Sequence, residues 1–189
     1  MNNGSIKLVL ELLKNHHEES FYHSIAVAEN AKKFAIALDL DTETVECIYV
    51  AGLLHDIGKV KIPVNILSAN RKLTAQEYRI IQQHPYYGVE LLDNINFGFS
   101  KKCYNMIKNA ILLHHISNSD KCYPKVRERK TVYTDIISIS DVYSALMLKR
   151  DYKEAFPLEK TIRILRNAGF NPILTEEFVK MIKREKMAA

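Results

Sequence analysis

The chain has 189 residues, 47% of them hydrophobic, and a formal net charge of +5. This length suits one domain with a sizeable core, and the composition argues against disorder. The basic residues form no run interleaved with aromatics, so we expect no nucleic-acid partner. The apolar stretch 6–13 is short and interrupted by Lys7 and Glu11. It predicts an amphipathic first helix rather than a signal peptide or a membrane span.

Three cysteines, Cys47, Cys103 and Cys122, are widely separated and form no Cys-x-x-Cys pair. This usage argues against a zinc ribbon and is typical of a reducing compartment. We therefore expect a cytoplasmic protein that contacts no membrane.

Apolar residues recur at helical spacing along the chain, and no stretch of useful length alternates with the two-residue period of a strand. The pattern predicts an all-α protein, with an N-terminal amphipathic helix in residues 1–17 and one domain in residues 18–189. Within that domain, helices are expected at 18–38, from Asp41 or Thr42 toward Leu53, from Thr74 to about His84, from Pro85, at 101–113, at 131–148, from Pro157 to Gly169 and from Thr175 onward.

Local signals refine these boundaries. Thr74 and Glu77 form a capping box at the start of their helix, and Gly58 is a natural stop for the helix that begins near Asp41. Pro63 indicates an extended connection over residues 60–68, and the polar stretch 117–129 is the longest predicted loop.

A histidine and an aspartate, His55 and Asp56, end an otherwise apolar run. A buried carboxylate needs a partner or a metal, because burying it unpaired is prohibitively costly. Candidate partners lie in or beside other predicted helices. They are Glu19, His23, His84, His114, His115 and Asp141.

Imidazoles and carboxylates without thiolates suit iron or manganese and are less diagnostic of zinc. The set is too large for one tetrahedral ion, whereas two ions bridged by a carboxylate account for its size. Such a pair clamps a phosphoryl group and generates hydroxide at neutral pH, which is the chemistry of phosphoester hydrolysis.

Several motifs resemble those of the HD-GYP subfamily of the HD superfamily of metal-dependent phosphohydrolases. In chain order they are His55-Asp-Ile-Gly-Lys59, His84-Pro-Tyr-Tyr-Gly88, His114-His115, Cys122-Tyr123-Pro124, Ser140-Asp141-Val-Tyr143 and Arg150-Asp-Tyr-Lys153. The resemblance implies an HD-domain helical bundle with a metal centre in its core. It also implies a phosphodiesterase that uses metal-bound hydroxide to open cyclic di-GMP to pGpG, with GMP as a further product.

The resemblance assigns roles residue by residue. One iron or manganese ion would be held by His23, His55 and Asp141, and a second by His84, His114 and His115, with Asp56 as the catalytic bridge. Glu19 matches a ligand of the third ion that some members hold. Lys59 matches the lysine that contacts the scissile phosphate and stabilises charge in the transition state. Arg150 and Lys153 match residues that bind substrate phosphates.

The chain departs from this family in one loop. Ile116 stands where the family has glutamate, Cys122 replaces the signature glycine, and Ser119-Asp120 replaces the usual Asp-Gly. In the family this loop is linked to recognition and to partner diguanylate cyclases. A lost glycine changes the backbone conformations open to a tight loop. We therefore expect an intact metal centre with altered selection of substrate or partner.

Two other functions stay open. Other HD proteins hydrolyse different nucleotides or phosphomonoesters, and the divergent loop would also suit a non-catalytic module that binds a nucleotide or a protein. The complete ligand set argues against a pure binding module, which has no need of it. The amphipathic first helix is compatible with a monomer and with a homodimer.

Overall fold

The structure is a computed structural model that describes residues 3–116, 122–126, 129–148 and 155–188. In these ranges the chain forms ten α-helices and one 3-10 helix, without a strand, as the all-α prediction required. The α-helices are α1 (Asn3–His16), α2 (Glu18–Ala37), α3 (Thr42–Leu54), α4 (Val64–Leu67), α5 (Ala75–Ile81), α6 (His84–Asn94), α7 (Lys101–Leu113), α8 (Val132–Met147), α9 (Leu158–Arg166) and α10 (Pro172–Ala188). The 3-10 helix (Ile57–Lys61) lies between α3 and α4.

The core forms where α2 packs on α3 and α8, and where α7 packs on α3. Each of these helices turns apolar side chains toward the others, and several of these side chains have no exposed surface. Phe34, Ile48, Ile107 and Ile136 are examples. Helices α9 and α10 close one side of the core, where the rings of Phe34 and Phe178 meet edge to face with centroids 5.0 Å apart. The helices that pack most closely are therefore those that carry the predicted metal ligands.

Several predicted helix starts are confirmed. The Asp41 carboxylate accepts a hydrogen bond from the Thr44 amide at 2.9 Å and caps α3. Thr74 and Glu77 form the expected capping box of α5. Pro85 occupies the first turn of α6, where its missing N–H costs little.

Other boundaries differ from the sequence prediction. Gly58 does not stop a helix, because α3 already ends at Leu54 and Gly58 lies inside the 3-10 helix. Part of the expected extended connection forms the short helix α4. The last helix begins at Pro172 rather than Thr175, because the Asn171 side chain accepts hydrogen bonds from the amides of residues 173 and 174.

Gly58 has a packing role instead. A Cβ atom added there would lie 1.9 Å from the carbonyl oxygen of His84 and 2.5 Å from the amide nitrogen of Gly88. Only glycine therefore lets the 3-10 helix lie directly against the first turn of α6. This contact places Asp56 beside His84.

Helix α1 is amphipathic, as its sequence predicted. Ile6 and Val9 join the common core, whereas Leu8 and Leu12 are more than half exposed. The proposed division between residues 1–17 and 18–189 stays a prediction. Among the described helices, none combines the length and apolar character that crossing a bilayer requires.

The structure pairs Cys47 of α3 with Cys103 of α7 as a disulfide, with Cα atoms 5.3 Å apart. Both side chains are buried. The spacing of the cysteines did not indicate this pair, because the two residues come together only through the packing of α3 on α7.

Candidate metal centre

The structure brings seven of the eight predicted ligands into one buried cluster. They come from five parts of the fold: the first half of α2, the end of α3, the start of α6, the end of α7 and the middle of α8. These residues are His23, His55, Asp56, His84, His114, His115 and Asp141. Six of the seven are less than 9% exposed. The helix ends deliver adjacent side chains, since His55 and His114 are the C-cap residues of α3 and α7.

One group of ligands comprises His23, His55 and Asp141, and their donor atoms lie within 4.8 Å of one another. Nε2 of His23 is 2.8 Å from Oδ1 of Asp141. Nε2 of His55 is 3.9 Å from the same oxygen. Two imidazoles and a carboxylate therefore converge on one point.

A second group comprises Asp56, His84, His114 and His115, again with donor atoms within 4.8 Å of one another. Oδ1 of Asp56 lies 3.2 Å from Nε2 of His84 and 3.9 Å from Nε2 of His114. The two Nε2 atoms are 3.4 Å apart. Three imidazoles and a carboxylate thus surround a second point.

The Asp56 carboxylate lies between the two groups. Its Oδ1 atom faces His84 and His114, whereas its Oδ2 atom lies 3.3 Å from Nε2 of His55. Each oxygen therefore points toward a different group. This is the arrangement that a carboxylate needs in order to bridge two ions.

The hydrogen bonds of three imidazoles fix which nitrogen carries the proton. Nδ1 lies 2.8 Å from the Gly52 carbonyl oxygen in His55, 2.8 Å from that of Ile81 in His84 and 2.9 Å from that of Ala110 in His114. A carbonyl accepts only a donated proton, so Nδ1 is protonated in each ring. In this tautomer the lone pair of Nε2 faces the cluster whenever the ring is neutral.

The cluster contains acceptors that face acceptors. Nε2 of His55, Oδ1 of Asp56 and Nε2 of His115 are buried without a hydrogen-bond partner. Buried polar atoms are rarely left in this state unless another group satisfies them. Divalent cations held by the two groups would satisfy them, so the residues present fit a metal site.

Burial and neighbouring charges set the ionisation of the cluster. Burial opposes ionisation of Asp56, but the charges of Lys59 and His55 outweigh it and hold the pKa of Asp56 well below its usual value. Burial, aided by neighbouring imidazoles, lowers the pKa of His114 to about 3. The same causes lower the pKa of His115 well below its usual value. Neutral imidazoles and an ionised carboxylate are the forms that bind divalent metals.

Lys59 and Glu19 lie at the edge of the cluster. Nζ of Lys59 is 2.6 Å from Oδ2 of Asp56. Lys59, Glu19 and His23 line a pocket of about 140 Å³ together with Ile81. Glu19 belongs to neither group of converging donor atoms in the described ranges. Its role as a ligand of a third ion stays a prediction.

The predicted phosphate-binding residues Arg150 and Lys153, and residues 117–121 of the divergent loop, lie outside the described residues. Beyond that loop segment the chain returns to the cluster. The Tyr123 ring lies 4.5 Å from that of His115, with 30° between the planes. Burial, reinforced by the charge of Asp56, raises the pKa of Tyr123, so its hydroxyl keeps its proton. Cys122 in the place of the signature glycine therefore does not keep Tyr123 away from the site.

Sequence reasoning did not single out Tyr78 of α5. Its ring meets that of Tyr123 at a centroid distance of 6.3 Å. No sequence signal distinguishes it from the nine other tyrosines, because its neighbour Tyr123 is 45 residues away in the chain.

Comparison with known proteins identifies the family. The family profile of the HD domain matches residues 20–146. A cyclic di-GMP phosphodiesterase of Pseudomonas aeruginosa is 30% identical over 179 residues, which cover 93% of this chain and 42% of that protein. A 3′3′-cGAMP-specific phosphodiesterase of Vibrio cholerae is 33% identical over 150 residues, which cover 78% of this chain and 33% of that protein.

Among solved structures, the HD domain of the L. monocytogenes phosphodiesterase PgpH in complex with cyclic-di-AMP has the same fold. The TM-score is 0.66 at 21% identity, and the match covers 92% of this chain and 94% of that one. The chain spans less than half the length of the two bacterial phosphodiesterases described above. The chain belongs to the HD domain family, and its motifs and relatives place it with the HD-GYP type.

Proposed function

We propose that the chain is a metal-dependent phosphodiesterase that hydrolyses a cyclic dinucleotide. The observation that carries the proposal is the buried Asp56 carboxylate, which directs one oxygen toward each of two groups of metal-binding side chains. Two ions held a few ångströms apart are suited to an in-line displacement at phosphorus.

The residues of each group would hold one ion, and we propose iron or manganese because the donors are nitrogen and oxygen without thiolate. When bound, the ions would supply Lewis acidity and activate the attacking water. His55, His84 and His114 are oriented for this by their Nδ1 hydrogen bonds to backbone carbonyls. Nε2 of His23 lies 2.8 Å from Oδ1 of Asp141, so both donors would face the same ion.

Lys59 would stabilise the phosphate as negative charge develops on it. Its side chain is 20% exposed, whereas that of Asp56 is 2% exposed, so the ammonium stands between solvent and the buried carboxylate. A substrate phosphate entering from the pocket would meet this cation. We propose that Arg150 and Lys153 bind further phosphate oxygens.

The relatives narrow the substrate class. Their names include cyclic di-GMP and 3′3′-cGAMP phosphodiesterases, which supports a cyclic dinucleotide with at least one guanine. We propose cyclic di-GMP as the substrate, pGpG as the first product and GMP as the product of continued hydrolysis. A cytoplasmic location and a partner diguanylate cyclase belong to the same proposal.

The test is turnover by anaerobically purified protein loaded with Fe²⁺ or Mn²⁺. Cyclic di-GMP and 3′3′-cGAMP are offered separately, and products are separated by chromatography. Asp56→Ala should lose both metal and turnover. Asp93→Ala is the matched control, because Asp93 is also a carboxylate paired with a lysine, Lys108 at 3.0 Å, but lies outside the cluster.

Linear product from the wild type and Asp93→Ala, but not from Asp56→Ala, supports the proposal. Turnover of 3′3′-cGAMP alone would correct the substrate within the same class. A protein that holds two ions and opens neither cyclic dinucleotide would contradict the proposal. That result would favour another phosphoester or a binding role.

A further inference from the structure

Tyr123 forms one wall of the metal centre. Its ring packs on that of His115 and lies 6.1 Å from that of His84, so it contacts the second group of candidate ligands. The side chain is only partly exposed. A substrate phosphate at the metal centre would therefore lie close to this ring.

Tyr78 extends that wall toward solvent. Its ring stands at 79° to the Tyr123 ring, with centroids 6.3 Å apart, and the residue is 43% exposed. Ile81, one helical turn later in α5, lines the pocket that also contains His23 and Lys59. Tyr78 thus lies at the edge of the site, next to Tyr123, and is partly open to solvent.

Helix α5 is held in place without any buried residue. The capping box of Thr74 and Glu77 fixes its first turn, and Arg71 pairs with the same glutamate at 2.6 Å. At its other end, the Ile81 carbonyl accepts a hydrogen bond from Nδ1 of His84. Polar contacts therefore hold a helix that contributes nothing to the core, and they keep Tyr78 beside the metal centre.

We infer that Tyr78, backed by Tyr123, is a base-stacking residue that binds one purine of the cyclic dinucleotide. The inference rests on the proposed function and names the residue that selects a nucleobase-bearing diester. An aromatic face stacks on a purine through its π system. A cyclic dinucleotide can make such a contact, because the sugars that carry its bases are joined by the phosphates that the metal centre would hold.

The first readout is binding rather than turnover. The probe is a hydrolysis-resistant phosphorothioate cyclic dinucleotide that carries one 2-aminopurine base, whose fluorescence falls when it stacks on an aromatic ring. With Mn²⁺-loaded protein, Tyr78→Ala should weaken binding roughly tenfold and lose most of the quenching. Tyr78→Trp should retain both, because its ring also stacks.

Two controls separate stacking from a general defect. Tyr86→Ala removes an equally exposed tyrosine, 44% against 43%, from the neighbouring helix α6 and should bind the probe like the wild type. Tyr78→Ala should keep its metal, because Tyr78 is not among the converging donor groups.

The inference is overturned if Tyr78→Ala binds and quenches the probe like the wild type. It is equally overturned if the wild type binds the probe without quenching, or if Tyr78→Trp is as defective as Tyr78→Ala. Turnover of cyclic di-GMP by the wild type is measured separately. A failure of stacking is therefore distinguishable from a failure of the proposed function.

Discussion

Nζ of Lys59 and Oδ2 of Asp56 are 2.6 Å apart, and this contact joins the partly exposed rim of the site to its buried centre. Both residues belong to the short segment after α3, three positions apart. The 3-10 conformation of residues 57–61 turns the lysine back over the carboxylate. One segment therefore supplies both the carboxylate that would bridge two ions and the ammonium that would act on the substrate.

Replacing Lys59 should separate chemistry from metal binding. Lys59→Met removes the cation but none of the converging donor atoms, so we expect two ions per chain and a loss of turnover of roughly 10²–10³-fold. Metal analysis and steady-state kinetics measure the two effects. Lys61→Met is the control, because Lys61 pairs with Glu90 at 2.7 Å on the surface. Wild-type turnover in Lys59→Met would refute the role of its charge.

The two groups of ligands should lose their ions separately. His23→Ala removes a donor from the first group and His114→Ala a donor from the second, so under the proposed two-ion arrangement each variant should hold one ion instead of two. Metal content per folded chain, measured by mass spectrometry, decides the point. If both single variants keep two ions, the assignment of ligands to two sites is wrong.

The members of the cluster that could be predicted most directly are those that occur as adjacent pairs in the sequence. His55-Asp56 and His114-His115 stand at the ends of apolar runs, and a polar doublet in such a place indicates partners brought by the fold. The role of Gly58, the position of Tyr78 and the pairing of Cys47 with Cys103 were not predictable. They depend on contacts between segments far apart in sequence, which hydrophobic periodicity does not encode.

Gly58→Ala should destabilise the protein and disturb the metal centre together. The new methyl group would meet the His84 carbonyl oxygen at 1.9 Å, so the 3-10 helix or α6 must move. Overpacking of this kind costs about 1–3 kcal/mol, and the movement separates Asp56 from His84. Urea unfolding measures the first effect, and metal affinity measures the second.

Gly4→Ala provides the comparison for Gly58→Ala. Gly4 is exposed in α1, where alanine favours the helix. We expect this variant to be as stable as the wild type or slightly more stable, with unchanged metal affinity. Equal stability of Gly58→Ala and Gly4→Ala would show that the close approach of the 3-10 helix to α6 is not required.

The pH dependence of the metal-free protein follows from its buried imidazoles. Burial lowers the pKa of His114 to about 3 from an ordinary value of 6.5, and the pKa of His115 is also lowered. At pH values between about 3 and 6.5, the unfolded chain binds protons that the folded chain does not. Stability should therefore fall as pH decreases from about 6.5 toward 3. His55 acts in the opposite sense, because neighbouring carboxylates outweigh its burial and raise its pKa. The stability that His55 contributes to the folded protein is lost only as pH rises above 6.5.

Chelator-treated protein should thus unfold at progressively lower urea concentration between pH 6.5 and pH 4.5. Each imidazole that stays neutral when folded contributes a slope of about 1.4 kcal/mol per pH unit in this range. The depressed pKa of Asp56 adds to the loss only below its ordinary value of 3.8. Glutamine is not protonated in this range, so His114→Gln should reduce the slope of unfolding free energy against pH by the contribution of one imidazole. A urea midpoint that stays constant over this range would contradict the buried, neutral state of His114 and His115.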